Sequence, residues 1–138
     1  MRPVYAEIEL VSGEDMIDLL RGRLDKDKTK KIKVTARIDT GVTHLFINEY
    51  IRDYFQLRVI DHRPFKMPNG EVIYSDMVGS LEIRFQNRNT FCSAVVMPGN
   101  AQPVLGCTYM QAMDVLIDPV RQELVVNPKH PDYAVHRL

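Results

Sequence analysis

The sequence predicts a mostly-β domain with two or three short helices, arranged as a small barrel or sandwich. Three observations lead there. Apolar and polar residues alternate over many short runs, as strands with one buried face require. Turn-forming groups such as Pro68-Asn69-Gly70 and Pro98-Gly99-Asn100 separate those runs. Helical spacing, by contrast, holds for only a turn or two at a time.

In chain order, Val4, Ala6, Ile8 and Leu10 share one face of a first strand. Ser12-Gly13-Glu14-Asp15 has the chemistry of a helix cap, and Met16, Ile17, Leu19, Leu20 and Leu24 follow at amphipathic spacing. Gly22 weakens the end of that helix, since glycine costs about 1 kcal/mol against alanine inside one. Ile32, Val34, Ala36 and Ile38 alternate again and run straight into Asp39. Beyond Leu45-Phe46-Ile47, Asn48 is placed to cap a helix whose Ile51, Tyr54 and Phe55 fall on one side, ending near Leu57.

Asn69-Gly70 suits the positive dihedrals of a tight hairpin, with Val72 to Val78 as the returning strand. After Gly79, Leu81 to Phe85 forms a further strand that turns at Asn87-Arg88-Asn89 into Thr90 to Met97. Val104-Leu105-Gly106 precedes a short helical pattern over Tyr109, Met110 and Met113. Val115 to Ile117 and Leu124 to Val126 make a last hairpin. Residues 1–127 are thus expected to form the domain. Residues 128–138 are expected to be a C-terminal tail, loose or docked on a partner.

Composition narrows the function classes. The chain has 138 residues, 45% of them hydrophobic, and 18 basic against 18 acidic side chains. That length suits one domain with a real core. The zero formal charge leaves no field to draw the protein to nucleic acid or anionic lipid, so neither is expected as a partner. No run is apolar enough for a membrane span, no signal peptide is read, and Cys92 and Cys107 lack metal spacing. Reduced, packed thiols and a cytoplasmic location are the expectation. His44, His62, His130 and His136 form no metal-binding pattern, and no phosphate loop or nucleophile elbow is present. No metal and no cofactor is expected.

What remains is Asp39-Thr40-Gly41. A strand that delivers an acid onto a tight turn, with apolar Leu45-Phe46-Ile47 directly after it, fixes a carboxylate in space. A surface aspartate in a turn is the plain alternative, although a surface turn seldom needs apolar chain on both sides.

The run Ala36-Arg37-Ile38-Asp39-Thr40-Gly41-Val42-Thr43 resembles the active-site strand and loop of the aspartic proteases. Pro103-Val104-Leu105-Gly106 and the helix after it resemble their hydrophobic-hydrophobic-glycine element. Pro68-Asn69-Gly70 lies between the two, where a flap hairpin belongs. That order, with the closing Val115-Leu116-Ile117-Asp118-Pro119 and Gln122 to Val126, is similar to retropepsin-like proteases of the bacterial type over roughly residues 4–127. The resemblance implies a small closed β-barrel of the retropepsin, or half-pepsin, type. It implies an endopeptidase whose water is activated by Asp39 from each of two chains, because two carboxylates about 3 Å apart share one proton. A homodimer and a peptide or protein substrate are then the implied partners.

By the same resemblance Asp39, Thr40 and Gly41 form the catalytic loop, with Thr40 hydrogen-bonding across the dimer. Asn69 and Gly70 form the flap tip and Val104 lines a side-chain pocket. A plain hairpin turn and an ordinary core valine are the bland readings of those last three. Two departures stand out. Val42 replaces a smaller residue beside the dyad. Thr43 and Cys107 replace the acid and the arginine that pair in retroviral enzymes. A non-catalytic dimerising or peptide-binding module of the same fold is therefore the second reading. A monomeric ligand-binding barrel is the third.

Overall fold

The computed structural model describes residues 2–138. Among the described residues, nine strands and three α-helices follow one another. The strands are β1 (Val4–Ser12), β2 (Lys31–Ile38), β3 (Leu45–Asn48), β4 (Arg58–Lys66), β5 (Val72–Phe85), β6 (Arg88–Met97), β7 (Val104–Leu105), β8 (Val115–Asp118) and β9 (Glu123–Val126). The helices are α1 (Gly13–Leu20), α2 (Glu49–Phe55) and α3 (Cys107–Met113). None of the helices is long and apolar enough to cross a membrane.

Local chemistry sets the helix starts. The Ser12 hydroxyl accepts a hydrogen bond from the Asp15 amide at 3.1 Å, and the Asn48 side chain accepts one from Ile51 at 2.9 Å. Each satisfies an amide that the first turn leaves without a partner. Helix α1 ends at Leu20, before Gly22, and is shorter than its apolar spacing suggests.

Seven strands form one sheet in the order β1-β2-β7-β3-β6-β5-β4, and β8 and β9 form a separate two-stranded sheet. The closed barrel expected from the resemblance is not formed. Strand β1 does reach β5, but over only four residue pairs, Glu9–Ser12 against Leu81–Arg84. The reason lies in β5, which runs unbroken for 14 residues through Gly79, where the sequence suggested a break. Its first part is spent on β4, which is left as the outer strand of the sheet. Arg58 to Lys66, unpatterned in the sequence, is thus the partner of a long strand. The two together make a projecting arm.

The alternating residues meet in one core. Ile8, Leu10, Leu45, Ile47, Leu81, Ile83 and Leu105 are almost wholly buried, and Met113 packs among them from α3. At about 25 cal/mol per Å² of apolar surface, such burial is the main term holding the sheet in register.

Short β7 threads the centre of this core and governs the site. It runs parallel to β2 and antiparallel to β3, so Leu105 lies beside both Ile38 and Leu45. The chain after it is stitched to the segment after Asp39. The Gly106 amide donates to the His44 carbonyl at 2.9 Å, Cys107 to Val42 at 2.7 Å and Thr108 to Thr43 at 3.2 Å. There is no room for a side chain at Gly106, where a Cβ would stand 2.5 Å from the His44 oxygen and 2.6 Å from that of Val42.

The tail is not loose. It is strapped to its own domain through Asp114, the residue that closes α3. The Asp114 carboxylate accepts from Asn127 Nδ2 at 3.0 Å and the Val135 amide at 3.0 Å, and lies 2.7 Å from His130 Nδ1. Asn87 Nδ2 and the buried Arg88 guanidinium donate to carbonyls of Pro131 and His130 from the other side. The Val135 amide, then Asn127 and His130, hold the Asp114 carboxyl well below its ordinary 3.8, at about 2.

Two outcomes follow from these contacts. Gly106→Ala forces backbone apart and should cost about 2 kcal/mol or more, read from the midpoint of a denaturant melt. Because the Asp114 carboxyl is depressed, its hold on the tail is full above about pH 4 and lost as pH falls towards about 2. The Val135 amide resonance should follow that course in an acid titration. In Asp114→Asn it should be displaced at every pH.

Candidate functional site

Strand β2 ends at Ile38 and hands Asp39 to a turn of which Thr40 and Gly41 are exposed members. The turn is held at both ends. The Asp39 amide donates to the Leu105 carbonyl at 3.0 Å, and the Val42 amide points back at the Asp39 carbonyl at 3.4 Å. The carboxylate is fixed as well. Oδ1 accepts the Gly41 amide at 2.9 Å, and Oδ2 accepts from Arg37 Nη1 at 3.0 Å. A Cβ on Gly41 would approach Oδ1 to 3.1 Å, so glycine leaves that carboxylate oxygen clear.

Arg37 was not singled out by its residue type. It lies two positions before Asp39, so on a strand both side chains leave the same face, and that spacing is the signal that could have found it. The pair is a partly exposed ion pair, with Asp39 about 30% and Arg37 about 42% exposed along the side chain. Chemically, Asp39 is an oriented acceptor with one oxygen on backbone and the other on a cation.

Val104 sits within the same joint. It is buried beside Arg37 in β2 and Phe46 in β3, so its place is that of a core residue at the edge of the turn. Asn69 and Gly70 lie elsewhere, at the tip of the β4–β5 arm. There the Glu71 amide donates to Asn69 Oδ1 at 2.9 Å, the Gly70 amide donates to the Met67 carbonyl at 2.9 Å, and Gly70 takes a φ of +87°. The structure therefore gathers Asp39, Thr40, Gly41 and Val104 at one joint and carries Asn69 and Gly70 on a separate hairpin.

The two are linked by aromatic rings. His44, five residues after Asp39, meets Phe46 of β3 edge-to-face at 6.3 Å and Phe65 of β4 at 5.5 Å. Phe46 and Phe65 meet at 6.2 Å. The Thr43 hydroxyl and His44 Nδ1 lie 2.8 Å apart. Burial, and then the nearby Arg63 charge, lower the pKa of His44 below its ordinary 6.5. The sequence showed a lone histidine here, two residues before Phe46, and no sign of Phe65.

Among the described residues no three histidine, cysteine or acidic side chains are grouped to hold a metal ion. Cys92 and Cys107 are both free, and burial pushes the Cys92 thiol up to about 12, far from the thiolate needed for attack. Around Thr43 and Cys107 the two segments meet through backbone, with the Cys107 amide on the Val42 carbonyl and the Thr108 amide on the Thr43 carbonyl.

No family model and no curated protein matches the chain. Solved structures do. The chain is similar to the retroviral protease-like domain of Ddi1 from Leishmania major, at 13% identity and a TM-score of 0.50, over 70% of this chain and 81% of that one. A retropepsin-like aspartic protease from Rickettsia conorii matches at 11% identity and a TM-score of 0.45, over 86% and 90%. The protein Lpg0085 of unknown function (DUF785) from Legionella pneumophila matches at 13% and 0.41, over 87% and 95%. At such identity the first likeness speaks for the fold alone. The chain has a distant structural relationship to the retroviral protease-like fold.

Proposed function

We propose that the protein is an aspartic endopeptidase acting as a homodimer in the cytoplasm, with Asp39 of each copy facing the other across a two-fold axis. The observation that carries this reading is the fixed Asp39 carboxylate on a turn clamped by β7 and the chain after Gly106. A carboxylate that served only as a surface charge would gain nothing from such bracing. One chain supplies one such group, and an isologous dimer supplies the second at no cost in sequence.

In this reading one carboxylate takes a proton from water while its protonated partner polarises the scissile carbonyl. The pair then shares its proton and titrates as a unit. The Gly41 amide orients Oδ1 before substrate arrives, which removes reorganisation from the reaction step. Thr40 is proposed to bridge the two copies. Asn69, Gly70 and Val104 are proposed to contact an extended peptide, the first two by closing the arm over it.

A second reading has an observation of its own. Arg37 already compensates the Asp39 charge within a single chain, and a carboxylate so neutralised has less need of a shared proton. That favours a non-catalytic dimerising or peptide-binding module.

Cleavage of casein from acidic to neutral pH separates the two. Under the protease reading, Asp39→Asn abolishes cleavage while sedimentation still shows a dimer, because the amide keeps the shape and cannot share the proton. Full activity in that variant, or a wild-type dimer that cleaves nothing, rejects the dyad. Thr40→Ala should weaken the dimer by about tenfold in dissociation constant, the worth of one or two hydrogen bonds at an interface. An unchanged constant counts against the bridging role.

A further inference from the structure

Beyond its base, where Arg58 pairs with Glu14 of α1 at 3.0 Å, the outer strand of the β4–β5 arm offers the rest of the molecule little to hold. Of the nine residues of β4, eight are exposed and Phe65 alone is half-buried. Val59 and Ile60, which could have served as anchors, are 57% and 60% exposed. The returning strand offers little more, since Val72 and Tyr74 are also exposed and its burial begins in earnest at Met77. The arm therefore leaves the core near Met77 and Val78 and touches it again through the ring of Phe65. The register of the arm also breaks between Val59 and Asp61, close to its base, where a strand bends most easily.

What Phe65 touches gives the contact its meaning. Its partners are His44 and Phe46, on the segment that leads directly out of the Asp39 turn. Both contacts are edge-to-face, so they depend on ring orientation as well as on distance. Asn69 at the tip lies four positions beyond Phe65, near enough for the anchor to govern where the tip lies.

We propose that Phe65 is a positioning residue that pins the β4–β5 arm onto the His44–Phe46 segment, and so sets whether the Asp39 turn is covered or open. The pin itself is independent of the protease reading, whereas its consequence for substrate entry rests on it. His44 makes the pin responsive to acid. The charged group that acts on it from the strand packed against it is Arg63 on β4, and on its own segment its Nδ1 lies 2.8 Å from the Thr43 hydroxyl. Burial and Arg63 both oppose protonation of the seated imidazole. Seating is thus complete above the ordinary histidine value and weakens as pH falls through the lowered one.

Amide hydrogen exchange tests this, corrected for intrinsic rates at each pH. In Phe65→Ala the β4–β5 ladder from residue 65 to residue 72 should exchange about tenfold faster than in wild type at neutral pH, the scale of two aromatic contacts. The β1–β2 ladder should be unchanged. In wild type the same arm amides should loosen on acidification, and in His44→Phe they should stay protected at both pH values. Equal arm exchange in Phe65→Ala and wild type overturns the pin, and an arm insensitive to acid overturns the part assigned to His44. Should Phe65→Ala fold poorly, His44→Ala removes the opposite half of the contact and serves in its place. The Asp39→Asn chain should keep the wild-type pattern of protection, so loss of the protease reading leaves this measurement standing.

Discussion

Three amide-to-carbonyl bonds, from Gly106, Cys107 and Thr108 onto the chain between Val42 and His44, join two segments that are some sixty residues apart in sequence. They are made at a distance that admits no Cβ at Gly106. Backbone groups buried without partners are costly, so each segment needs the other before either can leave water. Strand β7 is only two residues long, yet it is the piece that places both segments, because β2 and β3 pair on its two sides. The position of Asp39, the start of α3 and the course of the chain towards His44 all descend from that one meeting.

The same constraint divides the molecule into a rigid part and a projecting part. Around β7 the residues alternate cleanly, pack in one core and leave little freedom. The arm made by β4 and the start of β5 has no second layer to pack on, so its stability comes from its own ladder and from few side chains. Its outer edge carries Asp61, Arg63, Pro64 and Lys66, residues that resist pairing with another strand.

The rigid part was legible in the sequence. Period-two runs gave β1, β2 and the second part of β5, Ser12 and Asn48 marked helix starts, and Asp39 stood out because an apolar strand delivered it. The arm was not legible, since Arg58 to Lys66 buries almost nothing and so carries no hydrophobic pattern. Closure of the sheet was misjudged for a related reason. Periodicity reports which face a residue takes, and says nothing of how a 14-residue strand divides its two edges among β4, β6 and β1. Arg37 escaped notice because an arginine on a half-exposed strand reads as a solvated side chain until its partner is located. The aromatic contact of His44 depends on Phe65, which lies in the unpatterned segment.

The strap of residues 127–136 also has a mechanical meaning. Asp114 ends α3 in a left-handed conformation and, through one carboxylate, receives Asn127, His130 and Val135. Helix α3 begins at the Gly106 joint. A pull on the end of the chain therefore enters α3 through His136 at the Ala112 carbonyl and through Val135 at Asp114, runs along a helix of two turns, and arrives at the backbone that braces Asp39. The far terminus and the candidate carboxylate lie on one load path, with the Arg88 and Asn87 contacts acting as a side anchor that takes up part of the strain.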